Sequence, residues 1–315
     1  MARHRCMSPW LIRPALDGEA VACRAMLPEA FPPAGPAPDL FVALGHAGGL
    51  LGAAAMAWFP RGFPVLAWVD PAARRQGIGR ALLRAAADAA AGETMALLAW
   101  SSVEEGCAAA EFLQAAGFKA TRRLLGFETD GVRFAALITT LRSRVQAAGR
   151  VPADAPVIPL SSASPAAIIR LVMPEFGAML HDVAWRLQPG ISGGYDQALS
   201  FVVVQGSEAL GCMLVRREHD VLEIDLNLVG PAHRRGWVNL LLLEAVACRG
   251  REAGVTRFRF HCEAHVRDTL NLGRRTGATD LPPQLLLALP LLPASTDVEA
   301  KDVSDTAPHA ALQGS

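Results

Sequence analysis

Val69–Leu83 reads VDPAARRQGIGRALL. Its first residues close an apolar run that reads as a strand, and a glycine-bearing turn then opens an Ala/Leu-rich helix. Backbone N–H groups at such a helix start have no intrahelical partner. They sit at the positive end of the macrodipole, so the turn is suited to an anion. Gly77 and Gly79 lack Cβ atoms, which lets a phosphate approach the backbone closely. Arg74, Arg75 and Arg80 supply neutralising charge. G-x-G-x-x-G and G-K-[ST] are both absent, so this is neither a dinucleotide fingerprint nor a P-loop.

The same punctuation returns downstream. Val229-Gly230-Pro231 precedes His233-Arg234-Arg235-Gly236 and then Asn239-Leu240-Leu241-Leu242. Pro71 and Pro231 lie 160 residues apart, and Gly77 and Gly236 lie 159 apart. Phe112–Gly117 and Leu272–Gly277 are again offset by 160. Three anchors at one spacing predict a tandem duplication. In the first copy the pattern predicts a strand at Trp10–Arg13 and a helix at Asp17–Met26. Three meandering strands follow at Leu40–Leu44, Leu50–Phe59 and Phe63–Val69. A helix from Arg80, a strand at Met95–Trp100 and a helix at Glu105–Ala116 complete it. The second copy repeats this order. Pro156–Leu160 is a strand and Ser164-Pro165 opens a helix. Strands at Ser200–Val204, Ala209–Arg217 and Val221–Val229 precede a helix at Asn239–Glu252, a strand at Arg257–His261 and a helix at Val266–Arg275. The expected division is a first α/β domain over 1–140, a linker over 141–155, a second domain over 156–293 and a loose tail over 294–315.

Composition narrows the classes. Of 315 residues, 51% are hydrophobic and 19% charged, with Lys+Arg 30 balancing Asp+Glu 30. That excludes a globally disordered chain and a generally basic, nucleic-acid-coating one. Six cysteines show no C-x-x-C pair and read as reduced thiols of a cytoplasmic protein. Residues 1–8 are basic without a following apolar run, so no export signal is read there. The apolar stretch Leu40–Phe59 is broken by His46 and Gly48-Gly49 and reads as two strands rather than a membrane span.

Arg74-x-x-Gly77-x-Gly79, the Val-x-Pro before it and Ala116-Gly117-Phe118 about 40 residues on resemble the GNAT acyltransferase superfamily. The resemblance covers most of residues 9–138 and, more weakly, 156–291. It implies a mostly antiparallel meander followed by strand–helix–strand–helix in each copy, and an N-acyltransferase with acetyl-CoA as co-substrate. Val69, Arg74, Arg75, Gln76, Gly77, Ile78, Gly79 and Arg80 would bind the acetyl-CoA. The implied partner is a small-molecule amine or amino-acid-like acceptor, with no metal, nucleic acid or membrane; a homodimer is compatible with it. The alternative is a catalytically inactive CoA-binding regulatory or interaction protein of the same fold.

The second turn departs from the motif. Aligned on Gly236, it places Val238 where the second glycine stood, and a valine there would crowd a pyrophosphate. That copy is read as kept for packing and for shaping the acceptor cleft. The acids divide the other way. Along Val221–Val229, Glu223, Asp225 and Asn227 alternate with apolar residues and so share one face. The first copy has no acid on Phe63–Val69. The resemblance makes a strand acid the base, which leaves Glu104, Glu223 and Asp225 as catalytic candidates. The tyrosine that the family often places four residues before the Gly of Gly-Phe is Leu113 here and Gly273 in the second copy. The only tyrosine is Tyr195, in a loop-like segment. Ser101-Ser102 and Glu104-Glu105 sit where pantetheine and acceptor would meet. Cys107 reads as a structural thiol. His261-Cys262-Glu263-x-His265 has metal-ligand residue types, but strand register would splay them.

Overall fold

A computed structural model of the chain describes residues 9–30, 37–58, 62–149, 156–176, 180–191, 193–234 and 236–291. The basic start over 1–8 and the expected tail over 294–315 lie outside the described residues, as do residues 150–155 of the expected linker. The first copy begins with β1 (Trp10–Pro14), α1 (Ala20–Met26), β2 (Asp39–Gly45), β3 (Leu50–Met56) and β4 (Phe63–Val69). It continues through α2 (Ile78–Ala90), β5 (Ala96–Ala99), the two-residue β6 (Val103–Glu104) and α3 (Ala108–Ala115). Long β7 (Lys119–Asp130) and α4 (Gly131–Ala147) lead out of it. The second copy holds β8 (Val157–Pro159), α5 (Pro165–Phe176), α6 (Leu180–Arg186), β9 (Phe201–Gln205), β10 (Glu208–Glu218) and β11 (Val221–Val229). It ends with α7 (Val238–Glu252), β12 (Arg257–Glu263), α8 (Arg267–Thr276) and β13 (Thr279–Pro290).

The expected meanders form as antiparallel ladders, β2–β3–β4 and β9–β10–β11. Helix α2 shows why its sequence is helical. Gly77 caps it with φ +83°, and Ile78, Leu82, Leu83, Ala86 and Ala90 bury one stripe at helical spacing. Each copy packs helices on both faces of its strands. One core lies under α2 (Ala54, Val65, Leu82, Leu97) and its counterpart under α7 (Val215, Leu222, Leu242, Phe258). On the opposite face lie a core with Cys23, Leu27 and Trp100, and a core between α5, α6 and the strands with Ile168, Val172, Leu226 and Leu228.

The two copies share one sheet, in the order β1-β2-β3-β4-β5-β13-β7-β12-β11-β10-β9-β8. The last strand of each copy therefore lies with the other copy. β13 pairs with β5 of the first copy, β7 pairs with β12 of the second, and β7 and β13 pair with each other. Helix α4 follows β7 across. Phe134 stacks on Phe258 with centroids 4.5 Å apart, and Arg142 Nε bonds Glu244 Oε2 on α7 at 2.8 Å. The boundaries 1–140 and 156–293 thus mark repeats of sequence, whereas the packed bodies exchange residues 119–147 and 279–290. The linker expected from Leu141 begins inside α4, which runs to Ala147. The local patterns could not show this, because strand pairing across 150 residues leaves no mark on either strand alone.

This exchange has a test. Leu285 and Leu287 of β13 are buried in the core under α2. Exposing them alone would cost ~3–6 kcal/mol, comparable with a domain's whole stability. Fragments 1–149 and 150–315 should each be insoluble or aggregated alone and recover solubility when co-expressed. Size-exclusion chromatography and circular dichroism would read this; a monomeric, well-folded 1–149 would contradict the exchanged pairing.

Candidate functional site

The turn before α2 has the geometry of an anion cradle. Arg75 (φ +65°) and Gly77 (φ +83°) are both left-handed with one residue between them, a conformation that turns successive N–H groups into a concave nest. Arg75 holds its angle against a steric cost of ~1–2 kcal/mol. The first intrahelical bond runs from Ala81 N to Gly77 O at 3.0 Å, so the helix leaves the amides of Ile78, Gly79 and Arg80 unused. Gly79 faces the ring of Phe112 on α3; a Cβ there would lie 2.9 Å from Phe112 Cζ. Arg74 is partly committed, since its Nε donates to Val69 O at 3.1 Å.

The second turn is built differently. α7 starts at Val238 as α2 starts at Ile78, and both residues are buried in the core. A constant offset of 160 therefore runs through the turn. Trp237 stands in the place of Gly77 and Asn239 in the place of Gly79, so neither glycine is kept. Val238 does not crowd the turn, as alignment on Gly236 had suggested. Its Cγ1 packs inward, 2.7 Å from where a Cβ on Gly211 would be. Trp237 has φ −73°, and the Gly236 amide is spent on His233 O at 3.0 Å.

The acids meet in a cavity of about 970 Å³ that opens where β11 and β12 part. Those strands pair in parallel only from Val221–Arg257 to Ile224–Phe260. On β10, Leu214 pairs with Leu226 and Val215 with Ile224, so Asp225 is the extra residue of a β-bulge. The bulge reverses the alternation. Leu222 and Ile224 pack in the core under α7, whereas Leu226 and Leu228 pack in the core of α5 and α6. Glu223 and Asp225 therefore keep one face while Asn227 turns to the other, although all three line the cavity at its fork; the single face expected from period two holds only for the two acids. The first copy pairs Gly52–Val69 through Met56–Val65 without a shift.

Around the bulge the polar groups form one cluster. Arg216 Nη2 on β10 reaches Glu223 Oε2 at 3.0 Å and Asp225 Oδ1 at 3.1 Å. Tyr195 donates its hydroxyl to Asp225 Oδ2 at 3.0 Å. His261 Nδ1 on β12 lies 3.8 Å from Glu223 Oε1. Burial pushes the His261 pKa below its ordinary 6.5, against the attraction of Glu223 and Asp225. The segment Met173–Asp196 supplies Val183, Arg186 and Tyr195 to the cavity wall. Tyr195 was visible in the sequence as the only tyrosine, but its bond to Asp225 spans 30 residues.

The first copy contributes as well. Ser101 and Ser102 line the cavity, with Arg122 and Leu124 of β7, and Leu137 and Leu141 of α4 bound its helix side. Glu104 is exposed on β6, opposite Gln284, and does not line the cavity. Glu105 pairs with Arg123 Nη2 at 2.7 Å, which holds its carboxyl below the usual range. Cys107 caps α3, its Sγ accepting from Ala110 N at 3.4 Å. His261 and Glu263 face the cavity while Cys262 packs under α7, and His265 is largely exposed. Among the described residues no group of three His, Cys, Asp or Glu is arranged to hold a metal, and no described helix is long and apolar enough to cross a membrane.

Arg216 can be tested by removing it. Arg216→Leu leaves two adjacent carboxylates without their cation and should cost ~2 kcal/mol at pH 7. That is less than the 3–5 of a fully buried pair, because each keeps about a fifth of its surface in water. Urea unfolding at pH 7 measures it; an unchanged unfolding midpoint would refute the pairing.

Residues 37–120 match the acetyltransferase (GNAT) domain family. A search of curated proteins finds no match. Among solved structures, a GCN5-related N-acetyltransferase from Anabaena variabilis aligns over 89% of this chain and 72% of its own at 10% identity, with a TM-score of 0.60. The glucosamine N-acetyltransferase region of a fungal multi-domain GH3 β-N-acetylglucosaminidase aligns over 89% of this chain at 13% identity and TM-score 0.59; the match spans 38% of the fungal chain. A tandem GNAT protein from the clavulanic acid biosynthesis pathway aligns over 90% of this chain and 99% of its own at 17% identity, TM-score 0.53.

Proposed function

From a chain that folds as two GNAT units in tandem, we propose an acyl-CoA-dependent N-acyltransferase that moves an acetyl group to the amine of a small acceptor in the second-copy cavity. The observation that carries this is the carboxylate aimed by the β11 bulge into the fork between β11 and β12. An amine must shed its proton during attack on a thioester, and proton transfer by a positioned group contributes about 10²–10⁴-fold. Glu223 and Asp225 stand where an amine arriving through the fork would lie, and Glu104 does not. Their negative charge draws the ammonium form in.

The turn Val69–Arg80 binds acetyl-CoA through its pyrophosphate. It does not serve the Asp225 cluster. β4 and β11 are five strand positions apart in the sheet, about 24 Å at ~4.8 Å each, which is beyond a pantetheine arm. The donor that reacts beside Asp225 enters at the second copy, where Asn239, Arg234 and Arg275 line the helix side of the cavity. The alternative reading, a CoA-binding regulator without turnover, is favoured by the first copy. It keeps the cradle but places no acid on β4.

Transfer from acetyl-CoA across an amine panel separates the two. Asp225→Asn, which removes one of the two charges that draw the ammonium in, should lower kcat/KM for the amine at least tenfold with little change in acetyl-CoA affinity, and Glu104→Gln should stay within about threefold. Gly79→Val, which drives a side chain against Phe112 and so displaces the turn that forms the cradle, should weaken acetyl-CoA binding at the first copy at least tenfold, ~1.4 kcal/mol. Titration calorimetry on the full chain resolves that site. Unchanged binding in Gly79→Val would refute the cradle, and an Asp225→Asn variant whose kcat/KM for the amine matches the parent's would refute the cavity as the acceptor site.

A further inference from the structure

We propose that His261 is the group that takes the proton from the acceptor amine, seated by Gly126 and oriented by Glu223. This rests on the acyl-transfer reading above and names the residue that carries its proton step.

Position is the first argument. The last paired residues of β11 and β12 are Ile224 and Phe260. Asp225 and His261 are therefore the first residues beyond the pairing on either side of the fork, and both line the cavity. His261 is also held in place. Its partner across the ladder on β7 is Gly126. A Cβ on that glycine would lie 3.0 Å from both Cδ2 and Nε2 of the imidazole and 2.9 Å from Leu281 Cβ. The ring occupies space that only glycine leaves.

The carboxylates are already occupied. Both are bonded to Arg216 Nη2, and Asp225 also accepts the Tyr195 hydroxyl. A neutral imidazole keeps one unprotonated nitrogen. The charged and titratable groups facing it are Glu223 and Asp225 of β11, Arg216 of β10, Arg259 and Glu263 of its own strand, Arg122 of β7 and Tyr195. Gln284 of β13 adds none. Burial outweighs the acids and holds the ring neutral at pH 7.

The step balances from the ammonium that the carboxylates draw in. Its first proton goes to Nε2 of His261, while Nδ1 faces Glu223, whose charge offsets the imidazolium. The freed amine nitrogen bonds to the thioester carbonyl carbon, the C–S bond breaks, and sulfur leaves with the electron pair. The second proton of nitrogen passes to that sulfur, and the imidazolium releases the first to solvent.

The test uses the full chain with acetyl-CoA and an amine that it acetylates. His261→Ala and His261→Gln should each lose ~10²-fold in kcat at unchanged acetyl-CoA affinity. Added imidazole should restore His261→Ala at least tenfold. The parent's kcat/KM should fall on an acid limb below pH 6.5, and that limb should vanish in His261→Gln. A limb retained in His261→Gln, a kcat within threefold of the parent, or no gain with imidazole would overturn the assignment and leave the proton with Glu223 or Asp225. A parent without transfer to any amine would overturn the acyl-transfer reading itself.

Discussion

The ladder between β7 and β13 is the constraint on which the rest depends. Each of these strands ends one repeat, and each pairs on its outer side with the opposite repeat. Without the exchange, β5 and β12 would each present an unpaired edge and the two bodies would meet only through a linker. With it, the bodies share one sheet, and residues far apart in sequence reach one face. Arg122 and Leu124 from the first repeat become part of a cavity floored by the second. Gly126, the seat of His261, arrives by the same route.

Duplication under this constraint has let the copies diverge in complementary ways. The first keeps the left-handed turn that cradles an anion and lays its β4 flat against β3. The second gives up both glycines to Trp237 and Asn239 and keeps a bulge that aims Asp225 into the fork. A bulge costs a regular ladder, and a left-handed Arg75 costs backbone strain; each of these two lies in the site that uses it. Rigid attachment through the central ladder holds the two sites at a fixed distance, so each copy is a fixed wall for the other.

Much of the fold was legible. Repeat spacing, alternating meanders and glycine stops are local signals, and they located the elements through α3 and α8 to within a few residues, except β6 and α6, which they missed. The failures have one physical origin, which is that the deciding partner was remote. Glu223, Asp225 and Asn227 alternate regularly, and only the register against β10 shows that Asp225 is an extra residue. Gly236 looks like the surviving loop glycine, but burial of Ile78 and Val238 sets the true alignment. β7 and β13 carry short apolar runs, Leu124–Phe127 and Leu285–Leu289, that say nothing of which repeat they join. His261 looked like part of a metal motif because neither its glycine seat nor Glu223 is near it in sequence.

The charge arithmetic of the cluster explains why these groups belong together. Within the cluster Arg216 against Glu223 and Asp225 leaves one net negative charge beside a neutral imidazole, while Arg122, Arg259 and Glu263 farther out add one net positive. An ammonium entering this site meets the cluster's negative charge, at an attraction of ~4 kcal/mol for 4 Å and an effective dielectric of 20. When the proton moves from nitrogen to His261, the positive charge travels a few ångströms and remains beside the same carboxylates. The cavity is thus equally compensated before and after the transfer. Fixed dipoles and ions that already suit the product charge distribution need not reorganise during the step, and that preorganisation is where such a site gains its rate. Removing Arg216 would leave the cluster at two negative charges, binding the ammonium more tightly and releasing its proton less readily. The arginine therefore tunes the site for transfer as well as holding it together.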